Sequence, residues 1–130
     1  MSSIFSKIVE GSIPCYKIAE NDSFLAFLDI EPLAEGHTLV IPKKEIDYVF
    51  DLDDTTLKEM MVFSKMVAAK LKAALPCNRI GISVIGLEVP HAHIHLVPIN
   101  RIDDINFSKH RLEFTSAEMI VIQERIVRQA

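Results

Sequence analysis

Apolar residues recur along this chain with two alternating periods. Ile4, Phe5, Ile8 and Val9 fall at helical spacing and stop at Gly11, which predicts a short opening helix. Pro14 then sets up extended chain. Residues 15–20 and Phe24 to Ile30 read as strands separated by Glu20-Asn21-Asp22-Ser23, whose turn chemistry predicts a hairpin. His37-Thr38-Leu39-Val40-Ile41 is a β-branched run closed by Pro42, a third strand. The longest helical pattern starts at Asp53 or Asp54 as N-cap, carries Leu57, Met60, Met61, Val67, Ala68, Leu71 and Leu75, and ends at Pro76. Residues 79–85 form a strand whose partner is the apolar run after Gly86-Leu87-Glu88. Beyond Asn100 the chain is polar until Thr115 and Glu118, a capping-box pair ahead of Met119, Ile120, Ile122, Ile126 and Val127, so a terminal helix is expected. Helix, three strands, helix, two strands, helix, with short connections, favours an α+β domain with an antiparallel sheet over a doubly wound parallel one.

Length and charge narrow the picture. At 130 residues the chain is expected to be one domain over 1–130, with a core at about 4–100 and a helical extension at about 115–130. Lys and Arg number 14 against 18 Asp and Glu, and no basic stripe points to long nucleic acid or an anionic membrane. A single nucleotide needs only a local pocket. The first residues lack a signal-peptide core and no apolar run approaches a membrane span, so a soluble cytoplasmic protein is expected. Cys15 and Cys77 fit two unpaired thiols in a reducing compartment.

The candidate chemistry sits in His91-Ala92-His93-Ile94-His95, where three of the five histidines alternate inside an apolar run. On a strand they would share one face, with Ala92, Ile94 and Leu96 on the other. One reading is zinc binding, but His91 and His95 would lie about 13 Å apart at roughly 3.3 Å per residue, so ligands would have to come from elsewhere. The other is nucleophilic attack by the central imidazole, for which phosphorus is a suitable electrophile because a phosphorus–nitrogen bond is readily broken by water. Satisfied structural histidines are the bland alternative.

His91-Ala92-His93-Ile94-His95-Leu96-Val97 resembles the histidine-triad (HIT) motif. Ile4-Phe5-Ser6-Lys7-Ile8, Ile13-Pro14, Phe24 to Ile30 and Gly36 to Lys44 resemble the framework of the same family in the same order, nearest its nucleoside phosphoramidase branch. The resemblance implies a HIT-like fold with a five-stranded antiparallel sheet, a long helix, and short N-terminal and C-terminal helices. It implies hydrolysis or transfer at the α-phosphate of a purine nucleotide, of phosphoramidate or dinucleoside polyphosphate type, through a nucleotidyl-histidine intermediate. His93 matches the nucleophile, His95 the residue that contacts the phosphate, and His91 a supporting histidine. The leaving group's proton would come from an imidazolium or a nearby acid. Phe27, Asp29 and Ile30 match the nucleoside pocket, with Asp29 accepting the ribose hydroxyls; core packing and a turn role are their ordinary alternatives. The branch is usually homodimeric, and Met60, Met61 and Met66 are read as core-facing or dimer-facing. A nucleotide-binding or signalling module with little turnover is the competing functional class.

Two departures from the family pattern follow. Many bacterial members hold zinc with two cysteines, a histidine and the first triad histidine; here Ser3, Ser6 and Glu45 stand at the first three positions, so no metal and no cofactor are expected, and Glu45 is read as a solvated charge. The loop before the triad is short, and Glu88 stands where relatives carry a phosphate-contacting hydroxyl. It turns away, binds protonated, or meets the leaving group. Gly86 remains from the loop, and Ser83 is a candidate for the phosphate side. His37 is read as framework and His110 as surface.

Overall fold

The computed structural model describes residues 2–129. Helix α1 spans Ile4–Glu10; the Ser3 hydroxyl accepts from the Ser6 amide at 3.0 Å, and the helix ends at Gly11 with φ 86°. Strands β1 (Lys17–Glu20) and β2 (Phe24–Leu28) form the expected hairpin, and Asn21 Oδ1 closes its turn by accepting from the amides of Ser23 and Phe24 at 2.9 and 2.8 Å. Strand β3 is Thr38–Pro42. Helix α2 covers Asp54–Ala74, with Asp53 as its N-cap accepting from the Thr56 amide at 2.7 Å. Strands β4 (Arg79–Ser83) and β5 (Ile94–Ile99) follow, then α3 (Ser116–Val127), opened by the reciprocal Thr115 and Glu118 cap. Two 3-10 turns, Val49–Asp51 and Ile102–Ile105, lie in segments whose sequence carries no helical period.

The five strands make one antiparallel sheet in the order β1-β2-β3-β5-β4. Alternation along the strands splits the buried residues between its two faces. Phe24, Ala26, Leu28, Val40, Ile94 and Leu96 pack beneath α2 and α3 with Met60, Phe63, Val67 and Leu71. At about 1.5–3 kcal/mol per fully buried large apolar side chain, this layer dominates the fold's stability. Leu25, Phe27, Leu39 and Ile41 face the other way, under Phe5 of α1. Helix α3 rests on α2 and β1 of its own chain, with Met119, Ile122 and Ile126 buried and Gln123 donating to the Lys17 carbonyl at 2.9 Å.

Strands β1, β2 and β4 are shorter than expected by two residues each, and the boundary that matters for the site also moves. The histidine strand begins at Ile94, so His91 and His93 precede it. Pro90 offers no amide, His91 N turns back to the Val89 carbonyl at 2.8 Å, and Ala92 N bonds the Ile46 carbonyl at 2.7 Å, outside the ladder. At the turn into β3, Gly36 adopts φ 90°, a backbone conformation that requires glycine, and a Cβ there would also displace the tip of the Leu75 side chain. No helix among the described residues is long and apolar enough to cross a membrane.

Candidate active site

Pairing register assembles the site across the sheet. Phe27 is opposite Leu39, Leu39 opposite His95, and His95 opposite Ser83, so one cross-strand row runs through four strands on the α1 face. His93 lies beside this row: its ring is 4.9 Å from that of His95 and 5.1 Å from Phe5, centroid to centroid, both edge-on. The three triad rings are buried. Although His91 and His93 lie outside β5, the alternation still turns His93 and His95 away from Ile94 and Leu96, which belong to the α2 layer.

Hydrogen-bond partners assign the ring protons. His91 Nε2 donates to the Pro42 carbonyl at 2.7 Å, leaving Nδ1 to accept from the Ser3 hydroxyl at 2.8 Å. The His91 carbonyl accepts from His93 Nδ1 at 2.7 Å. In neutral His93 the lone pair is therefore on Nε2. His37 Nδ1 accepts from the Leu33 amide at 3.0 Å, so His37 Nε2 carries hydrogen and donates to His95 Nδ1, also at 3.0 Å. The remaining proton of neutral His95 is on Nε2. Among the described residues no buried side-chain nitrogen or oxygen lacks a partner.

His37 belongs to the framework that supports the triad. It is fully buried, bonded to His95, and has Asp29 Oδ2 at 3.7 Å. Burial first, then the charges of His95, Arg111 and His93, holds His37 down to about 3. Burial, followed by His93 and Arg111, holds His95 down to about 4. His91 is also lowered, chiefly by burial. At neutral pH these rings are uncharged, which removes His37, His91 and His95 as imidazolium donors to a leaving group. Asp29 is pushed up to about 6 by burial, against the opposing Glu31 amide bond and the Arg111 charge. Asp29, His37 and His95 offer donor atoms within 4.8 Å of one another. The proton on His37 Nε2 already serves His95, and a metal at this cluster would have to displace that bond.

Ser3, Ser6, Glu45 and His91 also converge, through hydrogen bonds. Glu45 Oε1 accepts from the Ser3 amide and the Ser6 hydroxyl, both at 2.6 Å, and Ser3 in turn meets His91. Glu45 is exposed yet bound, which corrects the solvated-charge reading, and these bonds, the Ser3 amide first, hold its carboxyl down to about 2. Neutral hydroxyl contacts to His91 replace the thiolates a zinc ion would need.

The remaining candidates are spread around this centre. Phe27 is buried against Phe5 with ring centroids 5.6 Å apart, and so serves the core whatever else it touches. Ile30 is 70% exposed in the loop after Asp29 and lines an open groove with Glu31 and Arg111. Gly86, at φ 79°, shares with His93 the wall of an apolar cavity of about 510 Å³. Glu88 is exposed, its Oε1 3.9 Å from Arg111 Nη2. Sequence reasoning missed two residues. Phe107 packs edge-on against His95 at 4.7 Å, and Arg111 stands 5.5 Å above the Phe107 ring. Both come from the tail read only as polar; a lone aromatic beside a basic pair was the one available signal.

Comparison with known proteins agrees with this geometry. The HIT domain family model matches residues 10–102. The adenosine 5′-monophosphoramidase of Schizosaccharomyces pombe is 41% identical over 102 residues, covering 75% of this chain and 74% of the relative. An uncharacterized HIT-like protein of Borreliella burgdorferi is 36% identical over 113 residues, covering 82% and 81%. Among solved structures, a HIT-like protein from Bartonella henselae superposes with a TM-score of 0.84 at 27% identity, over 97% of this chain and 94% of that one. A zinc-bound histidine triad protein from Mycobacterium smegmatis superposes with a TM-score of 0.81 at 28% identity, over 98% and 95%. The chain belongs to the HIT family.

Proposed function

We propose that this chain hydrolyses a purine nucleoside 5′-phosphoramidate or a related α-phosphate derivative through a nucleotidyl intermediate on His93. The observation that carries the reading is the 2.7 Å bond from His93 Nδ1 to the His91 carbonyl, which fixes the ring and leaves the Nε2 lone pair for phosphorus. His93 Nε2 forms a bond to phosphorus as the phosphorus–amine bond breaks, and the amine takes its proton from solvent water, which regains one when a second water attacks in the hydrolytic step. Water then attacks the same phosphorus, His93 leaves with its electron pair, and a nucleoside monophosphate is released. His95, held neutral, donates an Nε2 hydrogen bond to a phosphate oxygen rather than a proton to the leaving group, and His37 fixes that tautomer. Asp29 receives the ribose hydroxyls beside Ile30 and Phe27, Ser83 and Gly86 border the phosphate side, and Glu88 faces the departing group.

Support from relatives is the activity named for the Schizosaccharomyces pombe protein. The test is release of ammonia and adenosine monophosphate from adenosine 5′-phosphoramidate by the full chain. Turnover at about 1 per second or above, the ordinary enzyme range, is expected. Nucleotide binding with no turnover would instead favour the signalling module.

The active species is proposed to be a homodimer. Strand β4 is a sheet edge, and Ile82, Val84 and Ile85 beside it are exposed together with Met61, Val62 and Met66 of α2. A second copy would cover this apolar margin about a two-fold axis. Light scattering is expected to give twice the chain's 14.7 kDa, and replacing Ile82 with lysine should shift the mass toward one copy.

A further inference from the structure

Residues 107–112 lie beyond the family-matched residues 10–102, yet they pack against the histidine site. Leu112 N bonds the Pro32 carbonyl at 2.8 Å, and Arg111 Nη1 donates to the Glu31 carbonyl at 2.6 Å. These two bonds strap residues 107–112 onto the loop that carries Asp29. The strap seats Phe107 on His95 and stations the Arg111 guanidinium between two carboxylates, Asp29 Oδ2 at 3.9 Å from Nη1 and Glu88 Oε1 at 3.9 Å from Nη2.

Three features of this arrangement point to a ligand. First, a guanidinium has five N–H donors, and Arg111 uses one in a hydrogen bond, because both carboxylates stand beyond hydrogen-bond reach. Its side chain is nevertheless only 22% exposed, so the unspent donors face a partly enclosed space. Second, the rings beside it are wrapped in hydrogen bonds that need neutral tautomers, which leaves Arg111 as the permanent positive charge over the site. Third, one of the two carboxylates is loosely held: the Glu88 side chain is 78% exposed and makes no hydrogen bond among the described residues, so an incoming anion can displace it at small cost.

Resting on the hydrolytic reading of this site, we infer that Arg111 is the specificity-determining residue for an anionic group, phosphate or carboxylate, on the departing side of the substrate's α-phosphate. The planar fork receives two oxygens of that anion, Glu88 swings aside, and the Glu31 carbonyl holds the inner edge of the guanidinium in place. Substrates whose departing group is uncharged leave the Arg111 and Glu88 pair as it is and gain nothing from it.

The test is calorimetric binding of adenosine, AMP and ADP to the full chain, with nucleotide integrity checked afterwards. ADP places one additional phosphate on the departing side. Wild type is expected to bind ADP about tenfold more tightly than AMP, a difference typical of one charge-assisted bidentate contact. In Arg111→Gln the two should fall within about twofold, with an unchanged thermal midpoint as the sign of an intact fold, and Arg111→Lys should retain part of the preference. Glu88→Gln, by removing the competing carboxylate, should strengthen ADP relative to AMP. An unchanged ADP to AMP ratio in Arg111→Gln, or equal weakening of both nucleotides, overturns the inference. So does a wild-type ratio near one, which decides the matter even if Arg111→Gln fails to fold. Absence of phosphoramidate turnover would refute the hydrolytic reading, whereas the nucleotide ratio reports on Arg111 alone.

Discussion

Replacing His93 with asparagine is expected to lower phosphoramidate turnover by about 10³-fold or more, the scale seen when a covalent nucleophile is removed. Asparagine can still offer an amide hydrogen to the His91 carbonyl, so the local backbone is kept, but its nitrogen has no lone pair available for phosphorus. AMP affinity should stay within about threefold of wild type, because the lost interaction is made in the transition state rather than in the bound ground state. His95→Gln should fall less far, by about 10²-fold, since it removes one hydrogen-bond donor to the developing charge. Steady-state kinetics with ammonia release separates these outcomes. Equal, mild losses at 93 and 95 would assign both residues to binding alone.

The second large effect is acid destabilisation. The ordinary histidine value is 6.5, and the fold lowers His37 to about 3 and His95 to about 4. A depressed pKa contributes stability above the unfolded value of 6.5 that is lost as pH falls toward the folded value. By pH 4 each of the two buried rings withdraws roughly 3 kcal/mol. Asp29 acts in the opposite direction: raised from 3.8 to about 6, it favours the fold below its unfolded value and loses that contribution as pH rises through about 6. Acidification therefore recovers part of that loss through Asp29, and because two buried rings oppose one carboxyl the net effect between pH 7 and pH 4 is destabilising. Urea midpoints across this range should fall steeply, and His37→Gln should flatten the profile. A flat wild-type profile would mean that these rings are not buried neutral.

These effects show which parts of the molecule could be read along the chain. The helices were legible because their signals are local: Asp53 and Thr115 cap within three residues, Gly11 and Pro76 stop what precedes them, and α2 repeats its apolar stripe for five turns. The triad was legible for the same reason, since alternation survives even where His91 and His93 leave the ladder. The bond from His37 to His95 was not, because the two are 58 positions apart and the contact exists only through the register that sets Leu39 opposite His95. The available hint was a histidine opening an otherwise apolar strand.

Phe107 and Arg111 were less legible still. Nothing periodic precedes α3, and their placement depends on two backbone carbonyls, those of Glu31 and Pro32, whose positions follow from the turn between β2 and β3. Glu45 illustrates the complementary case. Its contacts with Ser3 and Ser6 span about forty residues, and a surface carboxylate carries no local mark that distinguishes it from its solvated neighbours. The chemistry of the site thus comes from one short motif, whereas its proton arrangement and its charge come from three distant segments folded against that motif.

The central claim is that His93 Nε2 bonds to phosphorus. It is tested most directly by mixing the His95→Gln chain, in which hydrolysis is slowed, with an adenylate bearing a good leaving group, quenching, and measuring intact mass with fragmentation. The account predicts a mass increase of one adenylyl group carried on His93 and absent from His93→Asn. Turnover that persists with no adduct, or an adduct carried on another residue, would contradict it.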